Sequence, residues 1–135
     1  MPRAQILVTL IAALAAACAP PGPTVSRGEG LYMRHCASCH GSDARGGGAR
    51  AEALSVAVPG LTGLAAAHGG TFPSEAVIAT IYGYRGKQLG ATMPEFGPLF
   101  DGPTVGWITP DGDVIETPEA LVALTRYLAS VQDEI

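Results

Sequence analysis

A chain of 135 residues, 47% of them hydrophobic, has room for one domain around one small core, and its net charge of −4 argues against nucleic acid as a partner. The charge is uneven: from Arg27 to Lys87 there are six basic and four acidic residues, and from Glu95 to Ile135 eight acids accompany one base, Arg126. The plain reading of that acidic third is a solvated face.

Residues 1–17 read as a signal peptide. Arg3 precedes an apolar run from Ile6 to Ala17 that only Thr9 interrupts. The run is too short to span a bilayer and matches the core of an export signal. The expected location is therefore the periplasmic side of a membrane. Leu14-Ala15-Ala16-Ala17-Cys18 resembles a bacterial lipobox, although Ala15 stands where leucine is preferred. That resemblance implies lipid on Cys18 and attachment to a membrane; ordinary cleavage after Ala17 or Ala19 is the alternative. Residues 18–25 form a tether, whose three prolines favour an extended spacer.

A domain over residues 26–135 follows. Ser26 and Glu29 have capping-box spacing and predict a first helix from Ser26 to about Cys36. Gly28 and Gly30 cost about 1 kcal/mol each inside a helix, so at least one needs a packing reason. Gly28 shares a face with Tyr32.

Cys36-Ala37-Ser38-Cys39-His40 is a Cys-x-x-Cys-His run, the pattern of covalent c-type haem attachment. Two thiols three residues apart can each add to one vinyl group on the same haem edge. The adjacent histidine then lies under the iron as a proximal ligand. A thioredoxin-like redox pair would need a βαβ context, which is not visible. A zinc site would need two more ligands at motif spacing, and Cys18, His35 and His68 make no second pair.

A loop from Gly41 to Arg50 holds four glycines, and Gly46-Gly47-Gly48 reads as a flexible surface turn. Val58-Pro59-Gly60-Leu61 reads as a rigid turn with an apolar anchor. A second helix is predicted from Pro73 to Tyr82, stopped by Gly83, with Val77, Ile78, Ile81 and Tyr82 on one face. The loop from Gly83 to Gly97 carries Met93-Pro94. Val105–Ile108 and Val114–Thr117 flank Pro110-Asp111-Gly112-Asp113 and predict a short hairpin. The last helix is predicted to start with Thr117 as N-cap and Pro118 in its first turn, with Leu121, Leu124, Leu128 and Val131 as a core stripe joined by Tyr127.

Taken in order, these features resemble the small monohaem class I cytochromes c. Gly28, Tyr32, Cys36, Cys39 and His40 match that family's first helix and haem motif. Pro59-Gly60-Leu61 matches its Pro-x-Leu turn, Met93-Pro94 its distal-ligand loop, and Leu124, Tyr127 and Leu128 its final helix. The resemblance implies an all-α fold of three main helices around one covalently bound haem, to which the residues read above add a short hairpin before the last helix. It also implies that Gly28 lets the last helix approach closely, and that the Pro59 carbonyl accepts from the proximal His40. The segment 97–116 is longer than a minimal member needs.

Among candidates for the second axial ligand, Met33 and His35 lie too close to Cys36 in sequence. His68 sits beside two glycines in no family position. Met93 is far enough along the chain to return over the opposite haem face, and Pro94 restricts its backbone to extended conformations. The alternative for Met93 is a packing role in the core. Arg85 and Lys87 lie on the approach to Met93 and are candidates for steering an acidic partner or for neutralising a haem propionate.

The function that follows is electron transfer between redox protein partners, a donor and an acceptor. With both axial sites filled no position is open for a small-molecule substrate, so the chain is not an enzyme by itself. A haem subunit of a larger oxidoreductase and an open-site haem protein that binds a gas or peroxide are the alternatives.

Overall fold

The computed structural model describes residues 22–83 and 93–134. The signal segment, Cys18, the tether before Gly22, Arg85 and Lys87 lie outside the described residues.

Helix α1 spans Val25–His35. Its cap is Thr24, not the predicted Ser26. Thr24 has extended backbone (φ −89°, ψ 158°), and its Oγ1 accepts the N–H of Arg27 at 3.2 Å. An oxygen two residues upstream therefore takes the first-turn donor, and Ser26 falls inside the helix. The motif's own turn, α2 (Ala37–His40), follows directly; a 3₁₀ turn at Ala51–Ala53 and the single turn α3 (Leu64–Ala67) lie in the long connection that comes next.

Helix α4 (Ser74–Tyr82) buries Val77, Ile78 and Ile81. Pro73 sits just outside it as N-cap, and Gly83 ends it in the left-handed region (φ 99°), as expected for a glycine stop. After Met93 comes a helical turn that no sequence signal predicts, α5 (Gly97–Phe100). Phe100 is fully buried there and stacks with Phe96 at 6.1 Å.

The hairpin expected before the last helix is present, and with it the fold is mostly helical rather than all-α. Strands β1 (Thr104–Ile108) and β2 (Val114–Pro118) pair antiparallel, with Trp107 opposite Ile115 and Ile108 opposite Val114. Their β-branched content suits a pleated ribbon. The turn is closed by the Thr109 N–H on the Asp113 carbonyl (2.8 Å) and the Asp113 N–H on Thr109 Oγ1 (3.0 Å). The ribbon runs on through Thr117 and Pro118, so Thr117 is strand rather than cap, and its hydroxyl donates to the Ile115 carbonyl. Helix α6 (Glu119–Ser130) begins after it, with the Glu119 N–H on the Pro103 carbonyl.

The largest helix interface is α1 against α6. Gly28 makes it possible: a Cβ there would lie 2.0 Å from the Ala123 carbonyl oxygen and 2.8 Å from Tyr127 Cβ. Beside the crossing the Tyr32 and Tyr127 rings meet at 5.2 Å, and Arg27 pairs with Glu119 at 3.1 Å. Tyr32, Leu121 and Leu124 are completely buried, and α4 and Phe100 close the same core. Among the described residues no helix is long and apolar enough to cross a membrane.

Candidate functional site

Cys36 lies at the junction of α1 and α2, and Cys39 and His40 lie on α2. A single helical turn leaves its last carbonyls without intrahelical partners. Here the following loop supplies them. The His40 carbonyl accepts from Gly46 N–H (2.7 Å), the Cys39 carbonyl from Gly48 N–H (3.1 Å) and the Ser38 carbonyl from Arg50 N–H (2.8 Å). Gly48 is buried against the motif so tightly that a Cβ would stand 2.5 Å from the Ser38 oxygen. The glycine run is therefore a bonded wrap over the motif, not the flexible surface turn its composition suggests. From the other side the Tyr32 hydroxyl, fully buried, donates to the Gly41 carbonyl at 2.6 Å. Burial first, and then the neighbouring Cys36, push that hydroxyl's pKa up, so it stays a donor.

His40 is buried, with Nδ1 3.0 Å from the Pro59 carbonyl oxygen. A carbonyl can only accept, so Nδ1 carries a proton, and in the neutral ring Nε2 is the nitrogen with the lone pair. The Pro59 turn is itself placed by the Leu61 N–H on the Ala44 carbonyl (2.7 Å). Ala44 is wholly buried with φ 61°, a left-handed conformation costing a non-glycine residue roughly 1–2 kcal/mol. That strain persists because the bonds on either side hold it.

Both motif cysteines are half-buried and unpaired as thiols. Burial, with a smaller contribution from Cys39, pushes the Cys36 thiol up from 9.0 to about 11. Of the remaining candidates, Met93 is half-buried and packs against the core, whereas Met33 is exposed. His35 is half-buried, its ring edge-on to Phe100 at 6.0 Å. His68 is exposed and donates Nδ1–H to the Leu64 carbonyl at 2.8 Å. Arg85 lies outside the described residues. Among the described residues no group of three or more His, Cys, Asp or Glu side chains could hold a metal.

The sequence and this geometry meet in one comparison: the cytochrome c family model matches residues 25–132. The chain belongs to the cytochrome c family. Members bind a covalent c-type haem, one being typical of so small a domain, and transfer electrons through it. No curated protein and no solved structure gives a significant match. The residues of this cytochrome fit the group on three counts. Cys36 and Cys39 are available thiols, His40 spends Nδ1 on Pro59 and leaves Nε2 as the ligating nitrogen, and a wrap of backbone bonds fixes the turn that carries them. The expected contact between His40 and the Pro59 carbonyl, which the family resemblance implies, is present. Reading by motif missed the wrap by Gly46–Arg50 and a set of contacts from Gln132 and Asp133 to the 61–65 turn, because no local pattern signals a bond to residues so distant in the chain.

Proposed function

We propose that this cytochrome is an exported, one-haem electron carrier in which Cys36 and Cys39 hold the haem, and His40 Nε2 and the Met93 sulfur are its axial ligands. Attachment adds each S–H across a vinyl double bond, sulfur to one carbon and hydrogen to the other, with no net oxidation or reduction. The haem supplies a one-electron ferrous–ferric couple. The protein's part is to hold the ligands still. The observation that carries the reading is the His40 Nδ1 bond to Pro59, which fixes the tautomer and the ring orientation and raises the basicity of Nε2. A thioether as the second ligand raises the potential, which suits electron carriage on the oxidising side of a membrane.

Two features extend the reading. Lipid on Cys18 would keep the carrier at a membrane on the periplasmic side. Arg85 and Lys87, on the sequence approach to Met93, would steer an acidic redox partner, with Arg85 also suited to a haem propionate. The axial assignment is tested by the weak sulfur-to-iron charge-transfer band of the ferric protein. Wild type should show the band and Met93→Ala should lose it; its persistence in the variant moves the ligand elsewhere.

A further inference from the structure

Two polar residues just past α6, Gln132 and Asp133, bond back to the turn that follows Pro59. Gln132 is fully bonded. Its Oε1 accepts the Ala65 N–H at 2.9 Å, and its Nε2 donates to the Leu61 carbonyl at 2.9 Å and to the Leu128 carbonyl at 2.7 Å. One N–H and two carbonyls admit only this orientation of the amide. Asp133 adds its own N–H on the Thr62 carbonyl (2.9 Å), and its carboxylate accepts the Thr62 hydroxyl (2.9 Å) and the Arg45 guanidinium.

Gln132 ties the Leu61–Ala65 turn to α6, Asp133 ties Thr62 of that turn to Arg45, and these two loops bracket His40. The Leu61–Ala65 turn continues directly from Pro59, whose carbonyl meets His40 Nδ1. Arg45 sits between Ala44, which accepts the Leu61 N–H, and Gly46, which donates to the His40 carbonyl. The tail thus ties one loop to the other at the point where both hold the histidine.

We infer that Gln132 and Asp133 are positioning residues for the proximal ligand: by clamping the Leu61–Ala65 turn to α6 and to the Arg45 loop they hold the Pro59 carbonyl against His40 Nδ1 and so help set the potential of the iron. The inference rests on His40 as the axial ligand. Its sign follows from the chemistry. A looser Nδ1–H···O=C bond makes Nε2 a weaker base, so ferric iron loses stabilisation and the ferrous form gains.

The test uses the haem-loaded full chain. With mediators poised at the wild-type midpoint, Gln132→Ala should raise the ferrous-to-ferric ratio about threefold, which is about 28 mV at 59 mV per decade. The His40 ring N–H should exchange with solvent about tenfold faster by NMR. Gln132→Glu, which keeps the acceptor for Ala65 and loses both donors, should move both readouts the same way. Asp133→Asn, an exposed and mild change, should do so to a lesser extent. Arg27→Ala, on α1 and facing Glu119 at the opposite end of α6, should lower the unfolding temperature and leave both readouts alone. If Gln132→Ala does not accumulate, Gln132→Glu and Asp133→Asn decide the matter. Variants that melt earlier with wild-type potential and wild-type ring exchange would reduce Gln132 and Asp133 to structural residues and overturn the inference. Absence of iron-shifted histidine ring protons in wild type would instead sink the ligand assignment itself.

Discussion

Replacing Gly28 with alanine tests the helix crossing that supports the site. The added methyl is worth up to about 1 kcal/mol in helix propensity. Against that, its Cβ would sit 2.0 Å from a backbone oxygen, Ala123 O, where contacts under 3.0 Å are essentially never tolerated. The carbonyl must therefore retreat by about 1 Å, and being backbone it takes α6 with it. Overpacking of this kind costs about 1–3 kcal/mol. Separating the helices also loosens the Tyr32–Tyr127 ring pair, a contact type worth about 0.5–1.5 kcal/mol. The net loss is about 1–3 kcal/mol, or a fall of roughly 4–12 °C in Tm at about 4 °C per kcal/mol for a domain of this size. Gly30 lies on the same helix with nothing within 4 Å of its would-be Cβ, so Gly30→Ala should raise Tm by up to about 4 °C. Thermal melts of the two haem-loaded variants, followed by far-UV circular dichroism, make the comparison. Equal melting temperatures, or a stabilised Gly28→Ala, would refute the close-approach argument.

Three further outcomes are expected. The Arg45 guanidinium and then the Thr62 hydroxyl hold the Asp133 carboxyl below its ordinary 3.8, so its contribution is complete above pH 3.8 and is lost as pH falls through the lower native value. Asp133→Asn should flatten that part of the acid-unfolding curve, and an unchanged curve would show that the pair adds no stability. Cys18→Ser should release the protein from the membrane fraction, since stable anchoring takes two or more acyl chains; a wild-type protein already soluble and beginning after Ala19 would rule the lipid out. Lys87→Glu should slow electron transfer to an acidic partner and flatten the fall in rate with added salt, because charges beyond about 10 Å are screened at 0.1 M; equal rates and slopes would remove Lys87 from the docking surface, and a faster variant would mean a basic partner.

The chemistry-bearing residues were legible because their meaning is local. Cys36, Cys39 and His40 carry it in their spacing, Gly83 and the apolar stripe of α6 in helical periodicity, and the ribbon in two β-branched runs about a Pro-Asp-Gly-Asp turn. Helix starts differ from expectation at two places, each for its own reason. Thr24 caps α1 in place of Ser26, and the ribbon keeps Thr117, because its pairing to Thr104–Ile108 outweighs a local helix start. The glycine run shows the limit of composition: three glycines look flexible, yet Gly46 and Gly48 are spent on carbonyls of the haem motif, and only that close backbone approach explains a buried Gly48. Nothing near Gln132 in sequence hints at Leu61 or Ala65, so its role emerges only once the chain is folded.

The covalent bond between haem and the motif cysteines is the centre of the account, and acid–acetone extraction of the mature protein tests it most directly. Extracted wild-type protein should keep one haem on the polypeptide, and the Cys36→Ser, Cys39→Ser double variant should surrender any haem it holds to the solvent. A wild-type chain that gives up its haem to acetone, or carries none, would contradict the account.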